Sequence, residues 1–129
     1  LYTNVEYYGE YKNPDDLLAI YNEVDFIVAC YDVDGLNERI AEPNKMYEAI
    51  FFKKPILVSS NTFLAEQVEK YKSGYAINAS KDDNIINFIN SLTDKEIKEI
   101  KDNIEKVNAI DLIDDNAKQI INKLQSKTI

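Results

Sequence analysis

The sequence predicts an α/β domain of three layers: a mostly parallel sheet of about four strands, helices on both faces, and a helical C-terminal trailer. Three observations carry this. Up to Ser80, apolar runs of strand length alternate with segments of helical period. Two runs, Asp25 to Cys30 and Pro55 to Ser59, are apolar almost throughout rather than alternating, as in strands covered on both faces. Beyond Ser80 the period is helical only. Strand–helix alternation builds parallel βαβ units with right-handed connections.

Taken in order, Val5 to Gly9 reads as a short strand. Asn13-Pro14 then opens a helix, with Asn as N-cap and Pro in the first helical position. Leu17, Leu18, Ile20 and Tyr21 give that helix its core stripe. Asp25 to Cys30 is the second strand. The polar stretch Tyr31 to Glu42 follows, about twice the usual 2–6 residues of a strand-to-helix loop, and is expected to move more than the rest. Pro43 opens a helix to about Phe52, and Pro55 to Ser59 is the third strand. Asn61 is placed to cap a helix through about Tyr71, and Gly74 to Asn78 gives the fourth strand. A helix covers about Lys81 to Asn90, Thr93-Asp94-Lys95-Glu96 is a capping box opening another, and Ile113 to Leu124 forms the last.

Composition narrows the function classes. The chain has 129 residues, one domain's worth, with 45% apolar and 29% charged residues, a globular mix. A formal net charge of −8 repels phosphate backbones and anionic lipids, which argues against nucleic-acid binding. No run approaches the ~20 apolar residues of a membrane span, so direct membrane insertion is not expected. The chain opens on Leu1 with no basic, apolar leader, which reads as a processed or excised chain. With no His, Ser–His–Asp triads, Cys–His pairs and nearly all zinc sites are excluded. Cys30, the single cysteine, sits in an apolar run and reads as a buried small residue. Asn78-Ala79-Ser80 matches a glycosylation sequon by chance in a chain of cytosolic character.

Parallel sheets bind ligands beyond the carboxyl ends of their strands, which directs attention to the loops after Cys30, Ser59 and Asn78. The first of these delivers Pro43-Asn44-Lys45-Met46-Tyr47-Glu48 as the opening turns of a helix. Unbonded amides and the positive dipole end make such a start suited to phosphate. Asn44 and Glu48 stand four residues apart, and Lys45 and Glu48 three, so all three share a face. An amide, a cation and a carboxylate together suit a nucleoside diphosphate, with Glu48 accepting hydrogen bonds from ribose. The plainer alternative is a solvated face with an ordinary Lys–Glu pair, worth about 0.3 kcal/mol.

The run Glu42-Pro43-Asn44-Lys45-Met46-Tyr47-Glu48-Ala49, continuing to Lys54-Pro55-Ile56-Leu57-Val58, resembles the nucleotide-binding signature of family 4 glycosyltransferases. More narrowly it resembles the subgroup with Pro-Asn-Lys before the Glu, in capsular and surface polysaccharide enzymes. Val5 to Gly9, Ala19 to Asp25, and Leu64-Ala65-Glu66-Gln67-Val68 leading to Gly74-Tyr75 resemble that family too. The resemblance covers roughly Asn4 to Asn78. It implies the Rossmann-like C-terminal domain of a two-domain GT-B enzyme, gripping a nucleoside diphosphate sugar for transfer to a bacterial glycan acceptor held by the other domain. It also implies no cofactor and no essential metal, the leaving diphosphate being stabilised by amides and cations. It implies a cytoplasmic location as well, peripheral at the inner membrane in the whole protein. Glu48 would bind ribose, with Asn44, Lys45, Pro43 and Glu42 near the donor, and Asn61 and Thr62 as weaker candidates that capping also explains. No catalytic residue is singled out, and this chain alone is expected to be inactive.

Two departures from the family pattern stand out. Many relatives carry a second Glu eight positions before the ribose Glu, where this chain has Ile40, flanked by Glu38 and Glu42. The family's first two strands and their basic phosphate ligands are absent. The Val5 and Asp25 strands are therefore expected either to pair directly or to be completed by another chain, a homo-oligomer through an uncovered sheet edge being one form.

Two other readings compete. Asp32, Ser59 and Lys81 approximate the phosphoacceptor, hydroxyl and Lys of receiver domains in signalling, but the Val5 strand supplies no acidic pair for Mg²⁺. A GT-B-derived interaction module without a ligand is the other, its nine Tyr supplying a partner surface. Asp32-Val33-Asp34 fails as a calcium loop, because Leu36 and Asn37 occupy required positions.

Overall fold

The structure, a computed structural model, describes residues 3–41, 44–112 and 117–126. Its sheet has three parallel strands in the order β1 (Ile27–Ala29), β2 (Ile56–Ser59) and β3 (Gly74–Ile77). Helix α1 (Leu17–Glu23) precedes β1, and α2 (Leu36–Ile40) and α3 (Lys45–Phe51) link β1 to β2. Helix α4 (Phe63–Tyr71) links β2 to β3, and α5 (Asp82–Ser91), α6 (Asp94–Glu105) and α7 (Ala117–Ser126) follow. This is a Rossmann-like α/β arrangement, with three strands where four were expected.

Register explains the core. Ile27 pairs with Ile56 and Ala29 with Val58, so these four side chains share one face of the sheet. Met46, Ala49 and Ile50 of α3 and Leu64, Ala65 and Val68 of α4 close over that face, joined by Ile100 and Ile104 of α6. Met46, Ala49, Ile56 and Val58 are fully buried. Two right-handed crossovers stepping the same way across a sheet put α3 and α4 on one side of it. The opposite face carries Val28, Leu57 and Tyr75 in register. Tyr75 meets Phe88 of α5 edge-on at 5.0 Å, whereas Val28, on the outer strand, is 54% exposed.

The strand expected at Val5 to Gly9 does not form. Residues 5–12 take no place in the sheet and are exposed, Tyr7 by 92%, and Gly9 turns through φ 81°. Val and Tyr favour strands only where a neighbouring strand satisfies their backbone groups, and β1 pairs with β2 alone. Direct pairing between the Val5 segment and β1 is thus absent, and the outer edge of β1 is uncovered among the described residues.

Three local readings also shift. Asn13 to Asp16 form a turn and α1 begins at Leu17, with the Lys12 amide donating to Asp16 Oδ2 at 2.7 Å. The polar stretch after Cys30 contains the short helix α2, following Gly35. Thr62 rather than Asn61 caps α4: its hydroxyl oxygen accepts from the Ala65 amide at 3.0 Å, while Asn61 sits at φ 61°. The capping box at Thr93 and Glu96 forms as read, with the Thr93 amide 2.9 Å from Glu96 Oε2. Of the last helix, Ile113 to Asn116 lie outside the described residues.

Candidate functional site at the carboxyl edge of the sheet

All three strands end on the same side, and the loops that leave them enclose a cleft of about 660 Å³. That volume lies within the usual range for small-molecule sites. The cleft is lined by Cys30 to Asp34 after β1, Ser59 to Asn61 after β2, and Asn78 to Ser80 after β3, with Asp82 and Ile85 from α5. These are the three loops that topology singled out. The Ser59 hydroxyl donates to the Tyr31 carbonyl at 2.6 Å, tying the end of β2 to the loop after β1. Asn84 donates to the Asn78 carbonyl at 2.8 Å, and the Ser80 amide to Asn78 Oδ1 at 3.1 Å, which shapes the third loop. Burial pushes the Cys30 thiol above its ordinary pKa, opposed by a hydrogen bond with Ser59, which keeps it a weak nucleophile.

Carboxylates, hydroxyls and amides line the cleft, with no Lys or Arg among them. Such walls accept hydrogen bonds from hydroxyl groups and repel phosphate. Lys45 and Glu48 of α3, and Asn44 at its start, are not among the residues that line the cleft, and Lys45 and Glu48 form a separate cluster against α1.

Helix α3 is fixed by its inner face, where Met46 and Ala49 are fully buried, leaving Lys45 and Glu48 on another. Tyr21 of α1 stacks on Phe52, centroids 4.5 Å apart and planes 6° from parallel, and is only 4% exposed. The Tyr21 hydroxyl donates to Glu48 Oε2. Lys45 Nζ donates to the same oxygen at 2.9 Å and lies 5.8 Å from the centre of the Tyr11 ring.

This contact sets the charges. Partial burial works against ionising Glu48, but hydrogen bonds from Tyr21 and Lys45 outweigh it and hold the carboxyl below its ordinary pKa. Burial likewise works against Lys45, yet the hydrogen bond and charge of Glu48 leave it above its ordinary value. Burial first, and then the bond to Glu48, push the Tyr21 hydroxyl up to about 12. Glu48 is therefore an anion held in place next to a firmly charged lysine.

Of the donor-binding candidates, Asn44, Lys45 and Glu48 come together at α3, with Asn44 exposed and its carbonyl accepting from the Glu48 amide at 2.9 Å. Asn61 lines the cleft, and Thr62 is a buried cap whose hydroxyl donates to the Ser59 carbonyl at 2.8 Å. Glu42 and Pro43 lie outside the described residues. Tyr21 read only as a core group; its bond to Glu48 spans 27 positions and two helices, a relation no local motif encodes. Asp32 and Ser59 share the cleft, but the Ser59 hydroxyl is committed to Tyr31, and Lys81 is not among the lining residues. Among the described residues no group of three or more acidic, His or Cys side chains could hold a metal, and no helix is long and apolar enough to cross a membrane. No family model matches this chain, and no curated protein or solved structure matches it either.

Proposed function

We propose that this chain binds a nucleoside diphosphate sugar, as the donor domain of a glycosyltransferase that builds a bacterial surface glycan. The observation that supports it most is Glu48: an ionised, partly buried carboxylate, held by Tyr21 and flanked by Lys45, on a helix that follows the carboxyl end of β1. A fixed anion suits the hydroxyls of ribose, and a neighbouring cation with Asn44 suits a diphosphate. The cleft, rich in acceptors and free of cations, suits the hydroxyls of the sugar, with Asn61 within reach of them. The acceptor would be held by a further domain, so this chain alone transfers no sugar. The open edge of β1 is where additional strands, or a second copy of the chain, would complete the sheet.

Titration with UDP, GDP and inorganic phosphate, followed by calorimetry, tests the reading. One nucleoside diphosphate should bind, and Glu48→Ala should weaken it ~10-fold or more, as the loss of a charged hydrogen bond requires. Binding of phosphate alone, or of no nucleotide, would overturn it.

A further inference from the structure

We infer that the Tyr21 hydroxyl is a positioning group, holding Glu48 so that one carboxylate oxygen is kept for a vicinal diol, and that the site thereby distinguishes ribonucleotides from 2′-deoxyribonucleotides. The inference rests on the reading of Glu48 as the ribose ligand. Its basis is that Tyr21 and Lys45 both donate to Oε2, and Oε1 receives neither bond. A carboxylate oxygen accepts about two hydrogen bonds, so Oε2 is filled by Tyr21 and Lys45, and Oε1 is the oxygen left to accept from the two hydroxyls of ribose.

The two donors differ in kind. Lys45 is a flexible ammonium with 36% of its side chain exposed, within reach of a diphosphate. Tyr21 is a rigid ring clamped on Phe52 and nearly inaccessible, so its hydroxyl cannot follow a ligand. A diphosphate that draws Lys45 away therefore leaves Glu48 oriented by Tyr21 alone. Without that hydroxyl, the carboxylate could turn either oxygen to a single ribose hydroxyl, and the second hydroxyl would count for little.

Tyr21→Phe keeps the ring and its stack while removing the donor. Among the described residues, the charged and titratable groups against Glu48 are Lys45 on its own helix and Tyr21 from α1, and Tyr11 of the N-terminal segment lies against Lys45. Carboxyl ¹³C shifts of nucleotide-free protein should show Glu48 titrating closer to its ordinary value of 4.5 in the variant. The preference for UDP over 2′-deoxy-UDP should fall about tenfold, with the thermal melt lowered by the loss of one hydrogen bond to a charged group. Lys45→Met should weaken both nucleotides alike and leave their ratio intact. A carboxyl that titrates unchanged, a ratio that survives Tyr21→Phe, or a ratio lost in Lys45→Met would each overturn the inference. Should the wild type bind neither nucleotide, the ribose reading and the discrimination fall together, while the ¹³C titration still decides whether Tyr21 holds Glu48.

Discussion

Gly74 approaches Ile56 so closely, where β3 begins to pair with β2, that a Cβ on it would stand 1.8 Å from the Ile56 carbonyl oxygen. The obstacle is backbone, which cannot swing aside. Gly74→Ala should therefore pull the two strands apart, costing roughly 1–3 kcal/mol or more as overpacked cores do. Urea denaturation measures it; a variant as stable as the parent would refute the close approach.

The neighbouring residue predicts the opposite sign. Ser73 is fully buried, and its hydroxyl has no partner among the described residues. A buried orphan hydroxyl costs about 1–3 kcal/mol, so Ser73→Ala should leave stability unchanged or raise it by about 1 kcal/mol. A clear loss in the same denaturation assay would mean that the hydroxyl is satisfied.

The start of α4 separates two adjacent residues that both suit a cap. Thr62→Ala removes the bond to the Ala65 amide and should cost about 1 kcal/mol. Asn61 holds a left-handed φ of 61°, which glycine adopts without strain, so Asn61→Gly should cost nothing. Thermal melts of the two variants should move apart, and equal losses would place the cap at Asn61.

Stability should depend on pH through the contact of Glu48 with Lys45 and Tyr21. Glu48 lies below its ordinary 4.5, so its contribution is complete above pH 4.5 and is lost as pH falls through the lower folded value. Lys45 lies above its ordinary 10.5, and Tyr21 above its ordinary 10.0 at about 12. Their contributions are complete below those ordinary values and fade as pH rises through the raised ones. The stability difference between wild type and Glu48→Gln should shrink at both ends, and a difference constant from neutrality down to pH 3 would contradict the pairing.

Val28 and Leu57 are register partners on one face of the sheet, yet Val28 is 54% exposed and Leu57 fully buried. Leu57→Ala should cost about 2–5 kcal/mol, and Val28→Thr no more than about 0.5. Comparable losses at both positions, read by chemical denaturation, would show that the edge is covered in solution.

Where the sequence read correctly, the signal was local or periodic. The box of Thr93 and Glu96 closes within one turn, and the apolar runs ending at Cys30 and Ser59 could satisfy their burial only inside a sheet. No strand forms at Val5 because Val5, Tyr7 and Tyr8 state a preference for extended backbone without supplying the neighbour it needs. Cap chemistry is shared between the adjacent polar residues Asn61 and Thr62, and only backbone angles choose between them. The loops forming the cleft were legible from strand polarity, since they had to emerge together. The hold of Tyr21 on Glu48 was not, because it depends on how α1 lies against α3, which packing decides.

Each described strand is hydrogen-bonded only to the strand next to it along the chain, β1 to β2 and β2 to β3. No pairing skips over an intervening strand, which keeps the sequence distance closed by each step short for a parallel sheet. During synthesis β1, α3 and β2 can come together as soon as they have left the ribosome, and β3 then adds through α4. The order of strands across the sheet therefore follows the direction of translation, and the cleft has its full lining only once β3 and the start of α5 have been synthesised.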